Sequence, residues 1–162
     1  QLTVRAMLMQ AIGQDAELVH TQEGRPVLKD TDLHISISHS KTHAAIMLAQ
    51  SANIGVDIET ISDRILRLQS RIAKPGELID GFDALHVKAK TTYLTAVWTI
   101  KEAVYKSISQ QDGFDLLLDT EIKPANLHHL PAAVQISIKG SPDSYTAFCQ
   151  EMDGNVLTYI IR

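Results

Sequence analysis

Residues 54–59 read Ile54-Gly55-Val56-Asp57-Ile58-Glu59, and this stretch decides how the rest of the chain is organised. Apolar side chains alternate with glycine and carboxylates, the period-two pattern of a strand. Val56 and Ile58 therefore share one face, and Asp57 and Glu59 share the other. Two carboxylates on one strand face lie about 7 Å apart, within reach of one hard cation such as magnesium. The same pattern also suits a solvated face that simply carries two acids.

Outward from that strand, residues 33–38 alternate Leu33, Ile35 and Ile37 against His34, Ser36 and Ser38, and residues 43–50 are apolar almost throughout. Both read as strands, the second a central one, and Ser51-Ala52-Asn53 is a turn into 54–59. Three short strands with tight connections predict an antiparallel meander. Nearer the start, Val4, Leu8 and Ala11 recur at helical spacing over 2–12 and stop at Gly13. A short strand over 17–21 then ends in the turn-forming Glu23-Gly24-Arg25-Pro26.

On the other side, Ser62-Asp63 is a helix cap for a segment reaching about residue 73, and Pro75 opens another helix at its tolerated first turn. Residues 87–110 form the main helix, with a narrow apolar stripe of Tyr93, Val97, Ile100 and Val104. Strands return over 133–139, 144–150 and 155–161. The expected class is α+β, with antiparallel strands packed against a long helix.

Composition agrees: 162 residues, 44% hydrophobic and 21% charged, are those of an ordinary globular protein. The longest apolar run, residues 44–49, is far short of the about 18 that a bilayer span needs. Cys149 is the single cysteine and has no partner for an intrachain bridge, and no charged-then-apolar leader is visible, so the cytoplasm is the expected compartment. A net charge of −4 argues against a general nucleic-acid binder. Charge is nevertheless segregated: residues 63–106 hold eight basic and five acidic side chains, so the middle of an acidic protein is suited to an anionic partner.

Two further clusters carry chemistry. In Trp98-Thr99-Ile100-Lys101-Glu102-Ala103-Val104-Tyr105-Lys106, Glu102 and Lys106 stand one helical turn apart, away from the apolar stripe. They are either a helix-stabilising pair or a carboxylate for a metal or proton beside a lysine for a phosphate. Ile35-Ser36-Ile37-Ser38-His39-Ser40 places hydroxyls and a histidine at a strand end, as a phosphate site or a serine-rich turn. A Ser–His–acid hydrolase fits poorly, since no Gly-x-Ser-x-Gly elbow is present.

Taken in order, Gly24-Arg25-Pro26, Ile37-Ser38-His39-Ser40, the 54–59 strand and the 98–106 helix closely resemble the 4′-phosphopantetheinyl transferase superfamily. Its signature joins a (V/I)G(I/V)D(I/V)E strand to a W(S/T)xKE(A/S)xxK helix; here Asp57 and Glu102 are 45 positions apart. The preceding Ser-His-Ser resembles the surfactin-type branch, and the likeness covers about residues 24–110.

The resemblance implies transfer of the 4′-phosphopantetheine arm of coenzyme A to a serine of an acyl or peptidyl carrier protein, with release of adenosine 3′,5′-bisphosphate. It assigns Mg²⁺ to Asp57, Glu59 and Glu102. Lys106 and Lys101 fall to the pyrophosphate, Arg25, Ser38 and His39 to the nucleotide end, and Glu102 also to the role of base. Partners implied are coenzyme A and an acidic carrier protein; neither nucleic acid nor membrane is expected, and the branch suggests a monomer. Arg64, Arg67, Arg71 and Lys74 recur at helical spacing on one flank, which is either a docking face for that carrier or a solvated outer face. The domain expectation is one unit over 1–162 with pseudo-symmetric lobes near 1–50 and 51–162. The first lobe is expected to be incomplete, because only 56 residues precede Asp57 and surfactin-type members have a longer front half. Two other readings compete: a metal-dependent phosphohydrolase using the same carboxylates, and a non-catalytic module that binds a carrier protein or coenzyme A.

Overall fold

The computed structural model describes residues 2–13, 17–108, 113–142 and 144–161. The chain folds as α+β, as expected. Helix α1 (Leu2–Ile12) is followed by strands β1 (Leu18–His20), β2 (Pro26–Leu28), β3 (His34–His39), β4 (Ala44–Ala49) and β5 (Ile54–Thr60). A 3₁₀ segment (Asp63–Leu68) runs into the short helix α2 (Gln69–Ile72); the long helix α3 (Val87–Ser107) and strands β6 (Thr120–Ile122), β7 (Ala132–Ile138), β8 (Ser144–Met152) and β9 (Asn155–Ile161) complete the order. α1 ends as its sequence predicts: Gly13 turns at φ +70° and returns its N–H to the Met9 carbonyl at 2.9 Å.

The strands do not form the predicted meander. β3 and β4 pair as a two-stranded hairpin, whereas β5 leaves them and pairs antiparallel with β9, at the edge of a five-stranded sheet ordered β5-β9-β8-β7-β6. In that register Gly55 lies opposite Ile160 and Asp57 opposite Thr158. The other edge of β5 meets β3 without a backbone ladder. The Val56 N–H donates to Ser36 Oγ at 3.0 Å and the Ile58 N–H to Ser38 Oγ at 3.2 Å, so serine hydroxyls satisfy the strand edge. Sequence neighbours thus lose to a distant strand because side chains, rather than a third ladder, complete the inner edge of β5.

α3 packs across the sheet. Tyr93, Leu94, Val97, Ile100 and Val104 are fully buried against Val134, Ile136, Ala147, Val156 and Ile160. The buried surface is wider than the predicted stripe and includes Thr95 and Thr99. Their hydroxyls donate to the carbonyls of Thr91 at 2.7 Å and Ala96 at 3.0 Å, which removes the cost of burying them. The predicted helix over 63–73 is instead a 3₁₀ segment and one α turn, begun by Ser62 as expected, and Pro75 opens only a three-residue 3₁₀ turn. The predicted end of α3 at 109–110 lies outside the described residues. Two strands of three residues, β2 and β6, have no expectation in the sequence because neither is long enough to show a period. Among the described residues, no helix is long and apolar enough to cross a membrane.

Candidate active site

Gly55 sets the distance between β5 and α3. A Cβ there would stand 1.9 Å from the Ala103 carbonyl oxygen, so only glycine lets the helix backbone lie this close to the strand. The close approach carries the next turn of α3 over Asp57. Lys106 Nζ donates to Asp57 Oδ1 at 2.7 Å and to the Val56 carbonyl at 3.1 Å. Ser38 Oγ donates to the same Oδ1 at 2.7 Å, and Asp57 is 6% exposed.

The rotation of α3 is fixed from its far side. Lys101 and Glu77 are each 1% exposed and paired at 2.7 Å. Glu77 also accepts the Lys74 N–H at 2.7 Å and the Ile122 N–H at 3.2 Å, while Tyr93 donates to its carbonyl at 2.6 Å. Anchoring Lys101 inward turns the next residue, about 100° round the helix, toward β5. That residue is Glu102. Burial pushes its carboxyl pKa up, the charges of Asp57 and then Glu59 push the same way, and Lys106 opposes them.

Glu102, Tyr105 and Lys106 line one wall of a cleft of about 440 Å³. The rest of its lining includes the β1–β2 turn, with Gly24, Arg25 and Pro26, and Ile35, Ser36 and Ile37 of β3. The Arg25 guanidinium donates to the Ile108 carbonyl, tying that turn to the end of α3.

The structure thus brings together Asp57, Glu102, Lys106 and Ser38, with Arg25 on the same cleft and Glu59 close enough to act on Glu102. It does not bring Lys101 to them: this lysine is spent in the buried pair with Glu77. His39 is exposed at the end of β3, beyond the residues that line the cleft. Ser36, Tyr105 and Glu77 are additions to the sequence-predicted set. Ser36 was visible as the same-face neighbour of Ser38, two residues away; Glu77, 24 positions before its lysine, had no local signal.

Asp57, Glu59 and Glu102 are hard carboxylate donors of the kind that suits a divalent cation. Burial is the main cause of the raised Glu102 pKa, and the repulsion from Asp57 and Glu59 that adds to it is what such a charge would relieve. Among the described residues no three such side chains are assembled as a ready metal cluster, and the ammonium of Lys106 supplies the counter-charge to Asp57.

A profile described as the 4′-phosphopantetheinyl transferase superfamily matches residues 53–159. The chain is 30% identical over 108 residues, 65% of its length and 55% of the relative's, to the protein named 4′-phosphopantetheinyl transferase AcpT in Escherichia coli. It is 29% identical over 108 residues to the protein of the same name in Salmonella typhi, covering 65% of the chain and 56% of the relative. Over 141 residues, 85% of the chain and 55% of the relative, it is 27% identical to a Haemophilus influenzae protein provisionally named as a 4′-phosphopantetheinyl transferase. The chain spans about half the length of the curated relatives it matches.

Proposed function

The chain belongs to the 4′-phosphopantetheinyl transferase superfamily, and on that premise we propose that it moves the 4′-phosphopantetheine arm of coenzyme A onto a serine of an acyl or peptidyl carrier protein. The observation that carries the reading is a cleft lined by Glu102, Lys106 and Arg25, with Asp57 paired to Lys106 behind that lining and its charge acting on Glu102. In the transfer, the carrier serine Oγ attacks the phosphorus that bears the arm, and the bond to the bridging oxygen breaks. Adenosine 3′,5′-bisphosphate leaves, and the serine proton passes to a base.

Glu102 is that base in this account. An ordinary glutamate is a weak acceptor for a hydroxyl proton; burial and the neighbouring carboxylates raise the affinity of Glu102 for one. Lys106 offsets pyrophosphate charge, while Arg25 and the exposed His39 are given to the nucleotide end of coenzyme A. Asp57, Glu59 and Glu102 would hold Mg²⁺, which when bound supplies further neutralisation at the pyrophosphate. Exposed Arg64, Arg67 and Arg71 face an acidic carrier protein.

The test is intact mass spectrometry of an apo carrier protein after incubation with the chain, coenzyme A and Mg²⁺. A phosphopantetheine increment on the carrier, lost in Asp57→Ala, is expected. Full modification by Asp57→Ala would overturn the assignment, and no modification by wild type would overturn the activity.

A further inference from the structure

The Ser38 hydroxyl has one proton, and it is already placed. Oγ donates to Asp57 Oδ1 at 2.7 Å and accepts the Ile58 N–H at 3.2 Å, in a residue 7% exposed. A hydroxyl so engaged has no second hydrogen to give a phosphate oxygen. Lys106 reaches the same carboxylate oxygen at 2.7 Å. Among the described residues, both side-chain contacts to Asp57 fall on Oδ1, which leaves Oδ2 as the oxygen to be offered elsewhere.

We propose that Ser38 is a positioning residue for Asp57: from β3, across the seam between the hairpin and the sheet, it sets the plane of the carboxylate so that Oδ2 is presented to a divalent cation. This rests on the ligand role given to Asp57 above, and it replaces the coenzyme A contact that the sequence motif implies for Ser38. Residues that orient a metal ligand change metal affinity by roughly 10- to 100-fold when removed. Ser36 is a built-in comparison. It lies on the same strand, is 4% exposed and caps the Val56 N–H in the same way, yet its oxygen bonds no carboxylate among the described residues.

The experiment titrates Mn²⁺, read by electron paramagnetic resonance, into the full chain without coenzyme A, with coenzyme A affinity and thermal unfolding measured on the same samples. Ser38→Ala should weaken Mn²⁺ binding about tenfold, Ser38→Thr should restore it, and neither should shift coenzyme A affinity. Ser36→Ala should lower the melting temperature as Ser38→Ala does, but leave Mn²⁺ affinity at the wild-type value. Where Ser38→Ala loses the fold, Ser38→Cys keeps the size, weakens the donor and gives an intermediate Mn²⁺ loss. Unchanged Mn²⁺ affinity in Ser38→Ala or Ser38→Cys overturns the proposal, as does an equal loss in Ser36→Ala. Weakened coenzyme A binding with intact Mn²⁺ binding returns Ser38 to the phosphate. Wild type that takes up no Mn²⁺ overturns the ligand set and this role with it, while the carrier-modification assay reports on the activity separately.

Discussion

Lys106 uses one ammonium to close an ion pair with Asp57 and to bond the Val56 carbonyl, so the strand and the helix meet through a charge as well as through packing. Two other single residues have ionisation set by burial rather than by partners. Tyr93 is fully buried, and desolvation pushes its phenol up to about 12. The unfolded chain ionises this group near its ordinary 10, so stability is whole below pH 10 and falls as pH rises from 10 toward 12. Denaturant unfolding across that range should show the loss, and Tyr93→Phe, which starts less stable for want of the bond to Glu77, should show a shallower one. An equally steep loss in the variant would place the alkaline sensitivity elsewhere. Cys149, raised to about 11 by burial, titrates in the same direction and accounts for part of any remaining slope.

Between elements, β5 and α3 meet at backbone contact through Gly55. Gly55→Ala would drive a methyl into the Ala103 carbonyl, and a cost of about 3 kcal/mol or more is expected in urea unfolding, above ordinary overpacking. Behind the same helix, Lys101→Met strands Glu77 as a buried charge. That change should cost about 3–5 kcal/mol, and Glu77→Gln added to it should recover part of the loss. These contacts also mark what the sequence could tell. The strand at 54–59, its two-faced alternation and the long helix were legible because each carries its own period. The β5 pairing was not: its partner β9 lies a hundred residues on, and its inner edge is closed by Ser36 and Ser38, which no strand pattern distinguishes from surface serines. Lys101 was misplaced for a related reason. The motif assigns it to the pyrophosphate, and only the fold brings Glu77, 24 positions earlier, under it.

At the scale of the whole molecule, a chain of net charge −4 presents a basic middle segment, with Arg64, Arg67 and Arg71 exposed on the turns that follow β5. With an acidic carrier protein as partner, reversing Arg67 and Arg71 to Glu should raise its KM several-fold and leave the KM for coenzyme A near wild type. An unchanged carrier KM would remove this surface from docking. The central claim is that Asp57, Glu102 and Lys106 make a transfer site rather than a hydrolytic one. It is tested most directly by counting adenosine 3′,5′-bisphosphate released from coenzyme A against carrier protein modified, with and without the carrier and with Asp57→Asn in parallel. The account predicts one nucleotide released per carrier modified, none without the carrier, and neither product from Asp57→Asn. Nucleotide released steadily in the absence of carrier, or full transfer by the variant, would contradict it.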